Sequence, residues 1–238
     1  MTTLRETWDW ALSSPLVWLL ATLVAYRFGL WLRARTGSHP LAQPVLVAVV
    51  VLVGLLLVTG VDYDVFRADT ELIAFWLGPA TVAFAIPLHR SVGALSGMVG
   101  ALLAAVVVGV TVTVTSGYLL VEWLGGGEEL ALTMAPKTAT TPVALVVSDV
   151  VGGVPALTAV FAVLAGILGA VFGPLVLDLC RIRDPRARGV AMGTVSHGVG
   201  TSRSLQESEV EGAVAGLVTG LAALAVSVIT PYLVGWLG

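Results

Sequence analysis

The sequence predicts an all-α polytopic membrane protein with about six spanning helices and two or more broken or re-entrant segments. Three observations carry this. Of 238 residues, 57% are apolar and 11% are charged, and mean hydropathy is +0.97; a soluble domain carries about a quarter charged residues. Apolar runs long enough to cross a bilayer recur along the chain. Two further apolar stretches are broken by proline, glycine, hydroxyls and isolated cations. The net charge of −3 and the single cysteine, Cys180, exclude a nucleic-acid binder, a disulfide scaffold and a disordered chain.

The long runs are Leu12–Leu32, Ala42–Gly60, Ser91–Leu120, Pro155–Cys180 and Glu211–Trp236. A sixth, Leu72–Leu88, is shorter and is interrupted by Gly78-Pro79 and Pro87. The first run begins after Arg5, Glu6 and Asp9, without the basic region of a cleaved signal. The broken stretches are Leu130–Val147, with Pro136, Lys137, four threonines and Pro142, and Gly189–Leu205, with His197, Arg203 and several glycines and hydroxyls. Lipid offers backbone amides no partner, so both are expected to be shielded inside the protein.

Loop charges alternate. Arg33 and Arg35, Arg90, and Arg181, Arg183, Arg186 and Arg188 fall in one set of loops, whereas acidic residues dominate the other. The positive-inside rule then places both termini outside, with Leu130–Val147 dipping from the outer face and Gly189–Leu205 from the cytoplasmic face. The expected location is the cytoplasmic (inner) membrane of a prokaryote, with lipid as its surroundings.

Arg27 lies near a helix end and is expected to snorkel. Lys137 and Arg203 sit inside the broken stretches, where a charge marks a pathway or a ligand. Pairing with Asp149, Asp178 or Glu207 is the structural alternative. Leu77-Gly78-Pro79-Ala80-Thr81 echoes Met134-Ala135-Pro136-Lys137-Thr138. Proline-broken segments in two halves point to a transporter site, because a helix N-terminus exposed at mid-membrane favours an anion.

The expected binding residues are Pro136, Lys137, Thr138, Thr140, Thr141, Ser196, His197, Gly198, Gly200, Thr201 and Arg203, with Thr81 from the echo. The ammonium and guanidinium suit a carboxylate, and the hydroxyls suit a 2-hydroxyl or keto oxygen. His197 and Asp149 are the candidates for coupling transport to protons; a hydrogen-bonded neutral histidine and a helix-end cap are their structural alternatives. Three scattered histidines and one cysteine make no metal spacing. Neither a cofactor nor an enzyme is expected, since Ser196 and His197 lack a paired base geometry.

These motifs also carry a resemblance. Gly78-Pro79-Ala80-Thr81-Val82-Ala83 with Ile86-Pro87-Leu88, then Ala135-Pro136-Lys137-Thr138 with Thr140-Thr141-Pro142, and finally Gly193-Thr194-Val195-Ser196-His197-Gly198-Val199-Gly200-Thr201 resemble three ordered signatures of the LrgB/CidB family. Arg183-Asp184-Pro185-Arg186-Ala187-Arg188-Gly189 leads into the third. Thr138-Ala139 and Asp149 depart from the family's common Ser-Val and Glu.

The resemblance implies one of two functions. Some members are described as holin-like or antiholin-like modulators of murein hydrolase export and autolysis, beside a small LrgA/CidA-like membrane partner. Others, the plastidial glycolate/glycerate translocators among them, carry small carboxylates including pyruvate. The transport reading expects residues 1–71 to form scaffold or oligomerisation helices and 72–238 a transport core. Two inverted repeats moving as an elevator, and a homodimer, are expectations by analogy.

Overall fold

The computed structural model describes residues 14–36, 42–76, 79 and 97–238. The chain forms two units, Met1–Ala83 and Phe84–Gly238. Thr81 and most of the Leu72–Leu88 stretch, including Gly78 and Pro87, lie outside the described residues.

In the first unit, α1 (Pro15–Arg35) and α2 (Pro44–Thr59) are the apolar helices, followed by the short α3 (Tyr63–Asp69) and α4 (Glu71–Phe75). Proline in the first turn starts α1 and α2, where its missing N–H costs nothing. Gln43 caps α2 by accepting from the amides of Val45 and Leu46. Arg33 and Arg35 occupy the last turn of α1, favourably placed on the helix dipole. Gly29 permits close packing of α1 on α2, because a Cβ there would stand 2.7 Å from the Pro44 carbonyl oxygen. Trp18, fully buried, meets Phe66 edge-on at 5.6 Å.

In the second unit, α5 (Val99–Trp123), α8 (Pro155–Leu179) and α10 (Glu209–Leu237) are long helices. With α1 they are the four described helices long and apolar enough to span a membrane. The expected run Ala42–Gly60 forms a helix of 16 residues, about 24 Å at 1.5 Å per residue, shorter than the roughly 30 Å hydrocarbon core. Between the long helices lie α6 (Glu128–Met134), α7 (Thr141–Val151) and α9 (Pro185–Leu205).

Both expected breaks are present, and both segments return to the end they came from. In the first hairpin, α6 stops at Met134, turns occupy 135–139, and α7 begins at Thr141. The Thr133 hydroxyl in α6 accepts from the Val154 amide, and its carbonyl accepts from the Thr158 hydroxyl in α8. The chain leaving α7 is therefore back beside α6. In the second hairpin, α9 is interrupted at His197, whose φ of 40° and ψ of −134° are not helical. Gly189, early in α9, packs on Glu211, and Leu205, at its end, packs on Gly212. Both limbs thus rest on the first turns of α10.

The hairpins start from opposite ends of the helix layer. At one end, the C-terminal Gly238 of α10 lies beside Tyr118 of α5 and Glu128 of α6. At the other, Arg188 of α9 bonds Asp178 of α8 at 2.6 Å and Glu211 of α10 at 3.3 Å. The first end carries Glu122, Glu128 and Glu129; the second carries Arg181, Arg183, Arg186 and Arg188. Asp184 starts α9 by accepting from the Arg186 amide at 2.8 Å. The side-chain hydrogen bond from Arg186 holds the Asp184 carboxyl below its ordinary range.

Candidate functional site

The two breaks meet α5 on adjacent turns. Thr194, just before the second break, packs on Gly109, and Lys137 and Thr138 of the first break reach Thr113. Four residues of helix separate these contacts by about 6 Å along the axis. Thr113 is the fifteenth of the 25 residues in α5, so the tips lie near mid-depth.

Lys137 is half-buried. Its Nζ donates to the Thr113 carbonyl oxygen at 3.0 Å, and among the described residues no carboxylate forms an ion pair with it. Thr138 is 2% exposed, and its hydroxyl lies 3.4 Å from that of Thr113. Pro136 is buried and Thr140 and Thr141 are half-buried. Thr140 is the N-cap of α7 and makes no side-chain cap bond. The first amides of a helix have no intrahelical partner, so α7 presents them within a few residues of the ammonium. Ammonium, amides and hydroxyls form one electropositive, donor-rich tip.

At the second tip, His197 is buried, and its Nε2 lies 2.9 Å from the Ala162 carbonyl of α8. A carbonyl oxygen only accepts, so Nε2 carries a proton. Gly166 leaves room for the ring: a Cβ there would stand 2.7 Å from Nε2. The backbone at His197 is in a region that non-glycine residues occupy at a cost of about 1–3 kcal/mol. The Thr201 hydroxyl donates to the His197 carbonyl at 3.0 Å and lies 3.0 Å from the Thr219 hydroxyl of α10, tying the second limb to α10. Ser196 is fully buried, packed against Gly169 and Gly200. A Cβ on Gly198 would meet nothing within 4 Å.

Arg203 is placed differently from these groups. It pairs with Glu207, four residues on, the structural alternative that its sequence left open. It lies six residues past the break, toward the limb's base, and no described contact joins it to Lys137. Asp149 is exposed near the end of α7, where its carbonyl accepts the Gly152 amide in the C-terminal turn. Thr81 falls outside the described residues.

Sequence reasoning missed the supporting face. Thr113 and Gly117 of α5 and the carbonyl of Ala162 hold the two tips, yet none belongs to a broken segment. The one available signal was Thr111, Thr113, Thr115 and Ser116 clustered in an otherwise apolar span.

The chain is 40% identical over 195 residues to "Uncharacterized protein YwbG" of Bacillus subtilis (strain 168), covering 82% of this chain and 87% of that one. It is 30% identical over 225 residues to "Antiholin-like protein LrgB" of Bacillus mycoides (strain KBAB4) and of Bacillus cereus (strain B4264), covering 94% of this chain and 98% of each relative. No solved structure matches it. The LrgB-like family profile matches residues 22–236, nearly the whole chain and both hairpins, and the protein is therefore a multi-pass membrane member of the LrgB-like family.

Proposed function

We propose that the chain is a secondary transporter of small monocarboxylates of the glycolate, glycerate and pyruvate kind, holding the anion at the tip of the first hairpin. One observation carries the reading. Lys137 places an ammonium near mid-depth, beside the N-terminus of α7, with a backbone carbonyl as partner and no carboxylate pairing with it among the described residues. A charge at membrane depth is costly and marks a pathway or ligand, and a helix N-terminus adds to its pull on an anion.

Thr138, Thr140 and Thr141 are the hydroxyls nearest in sequence to that charge and would read the 2-hydroxyl or 2-oxo group. Ser196, Gly198, Gly200 and Thr201 shape the second tip, and His197 is its proton-coupling candidate. Arg203 enters as a charge at the base of the limb, balanced by Glu207. In this reading the hairpin-bearing core moves against scaffold helices of residues 1–71, in a homodimer of the prokaryotic inner membrane.

The test is uptake of labelled glycolate and pyruvate into proteoliposomes, with and without a pH gradient. Saturable uptake that disappears in Lys137→Gln is the expected result. Saturable uptake unchanged in that variant would overturn the assignment.

A second reading is favoured by the relatives' names. A chain 30% identical to antiholin-like proteins over 94% of its length is also proposed as a modulator of murein hydrolase export and autolysis, acting with a small LrgA/CidA-like membrane protein. Dye leakage from the same vesicles, insensitive to Lys137→Gln, would favour it over transport.

A further inference from the structure

Between the tips and the arginine-rich end, α5 and the first limb of α9 touch at Gly109 and Thr194. A groove of about 530 Å³ runs between them, walled by Ala101, Ala105 and Gly109 on α5 and by Ala187, Ala191 and Thr194 on α9. Small residues at such positions normally let two membrane helices approach until their backbones touch. Here Gly109 and Thr194 make that approach, while the alanines line the groove.

The two ends of the groove are polar although its walls are not. Its inner end is Thr113, the residue whose carbonyl holds the Lys137 ammonium. Its outer end is Met98, Asp184 and Arg186. There Arg186 is bound to Asp184 through two nitrogens, at 3.1 and 2.9 Å, and reaches the Met98 sulfur at 3.2 Å. Exposed Arg181 and Arg183 lie in the same loop. From Ala101 to Thr113 the helix rises about 18 Å, more than half of a roughly 30 Å hydrocarbon core.

We propose that this groove is the route by which the carboxylate passes between the arginine-rich face and Lys137, an inference that rests on the anion reading of that lysine. The route ends on the ammonium's own partner and starts beside the largest cluster of cations in the chain. Its alanine walls also let α5 and the α9 limb close further about the Gly109–Thr194 contact, which seals this side when the site faces the other.

Site-directed thiol labelling tests the route. Cys180, exposed and the sole cysteine, is replaced by serine. Single cysteines are placed at Ala105, at Ala191 and, as a control on the same helix outside the groove, at Val107. The full chain in vesicles is treated from the arginine-rich face with a small anionic methanethiosulfonate and, separately, with a lipid-soluble maleimide. The anionic reagent is expected to modify A105C and A191C about tenfold or more faster than V107C, as a cleft focusing positive potential does, and glycolate or pyruvate should slow it.

Labelling of the groove cysteines by the lipid-soluble reagent alone would overturn the proposal, because the groove would then hold acyl chains. A Lys137→Gln background separates the two claims. Labelling that persists while protection by carboxylate is lost supports both. Labelling that still shows full protection overturns the anion reading of Lys137 and leaves a route that ends elsewhere at the break.

Discussion

Gly117 of α5 lies directly against the ammonium of Lys137: a Cβ at this position would occupy the space that Nζ now fills. The obstacle is the far end of a flexible side chain, so the fold can absorb an added methyl by moving the lysine. That movement takes Nζ away from the Thr113 carbonyl and from the α7 N-terminus.

Gly117→Ala should therefore separate stability from function. Alanine in a helix interior is favoured over glycine by about 1 kcal/mol, so the thermal midpoint in detergent should hold or rise. Uptake should weaken, with KM for glycolate or pyruvate up about tenfold, equivalent to about 1.4 kcal/mol of binding. A variant with a lower midpoint and unchanged KM would show that Gly117 serves packing alone.

Replacing Lys137 asks whether charge suffices. Lys137→Gln should abolish saturable uptake, and Lys137→Arg should not restore it, because a planar fork cannot take the place of a compact ammonium set against Gly117. Arg203→Gln should keep most uptake, since Arg203 is already satisfied by Glu207. Side-by-side uptake curves check the order. Equal losses in Arg203→Gln and Lys137→Gln would return Arg203 to the anion site.

The breaks were legible in the sequence because their causes are local. Pro136 interrupts the hydrogen-bond ladder directly, Pro142 starts the helix that follows, and the glycine-rich and hydroxyl-rich run around His197 cannot face lipid. Loop charge was consistent with Leu130–Val147 and Gly189–Leu205 dipping from opposite ends once both were read as broken segments. What receives the tips was not legible. Gly109, Gly117 and the Ala162 carbonyl matter for the space or backbone acceptor they offer across helices, and an apolar helix written in one dimension does not say which of its faces a lysine will meet. The partner of Arg203 was visible four residues ahead, at Glu207, but an i,i+4 pair and a ligand-binding cation look alike until the geometry distinguishes them.

At the second tip, His197 combines strained backbone with one hydrogen bond to Ala162. His197→Asn tests coupling, because asparagine tolerates positive φ and carries no titrating nitrogen. The folded protein should survive, and uptake driven by substrate alone should remain. Stimulation by an imposed pH gradient should fall to background. An asparagine variant that keeps full stimulation would remove His197 as the coupling group.

The base of the second hairpin rests on an ion pair shielded from solvent, Arg188 with Glu211. The Arg188 side chain is 11% exposed and that of Glu211 4%, and Arg188 also bonds Asp178 and the Ile182 carbonyl. Removing one partner from such a pair leaves the other charge uncompensated, at a cost of about 3–5 kcal/mol. Arg188→Met should therefore lower the detergent unfolding midpoint sharply. Adding Glu211→Leu should recover much of the loss, since the orphaned carboxylate is then gone. The double-mutant cycle also reports on mechanism: Arg188 joins α9 to both α8 and α10, so if the hairpin swings as a unit, the recovered double variant should remain folded and still transport more slowly. A double variant with wild-type uptake would show that this clamp holds the fold together without setting the hairpin's position.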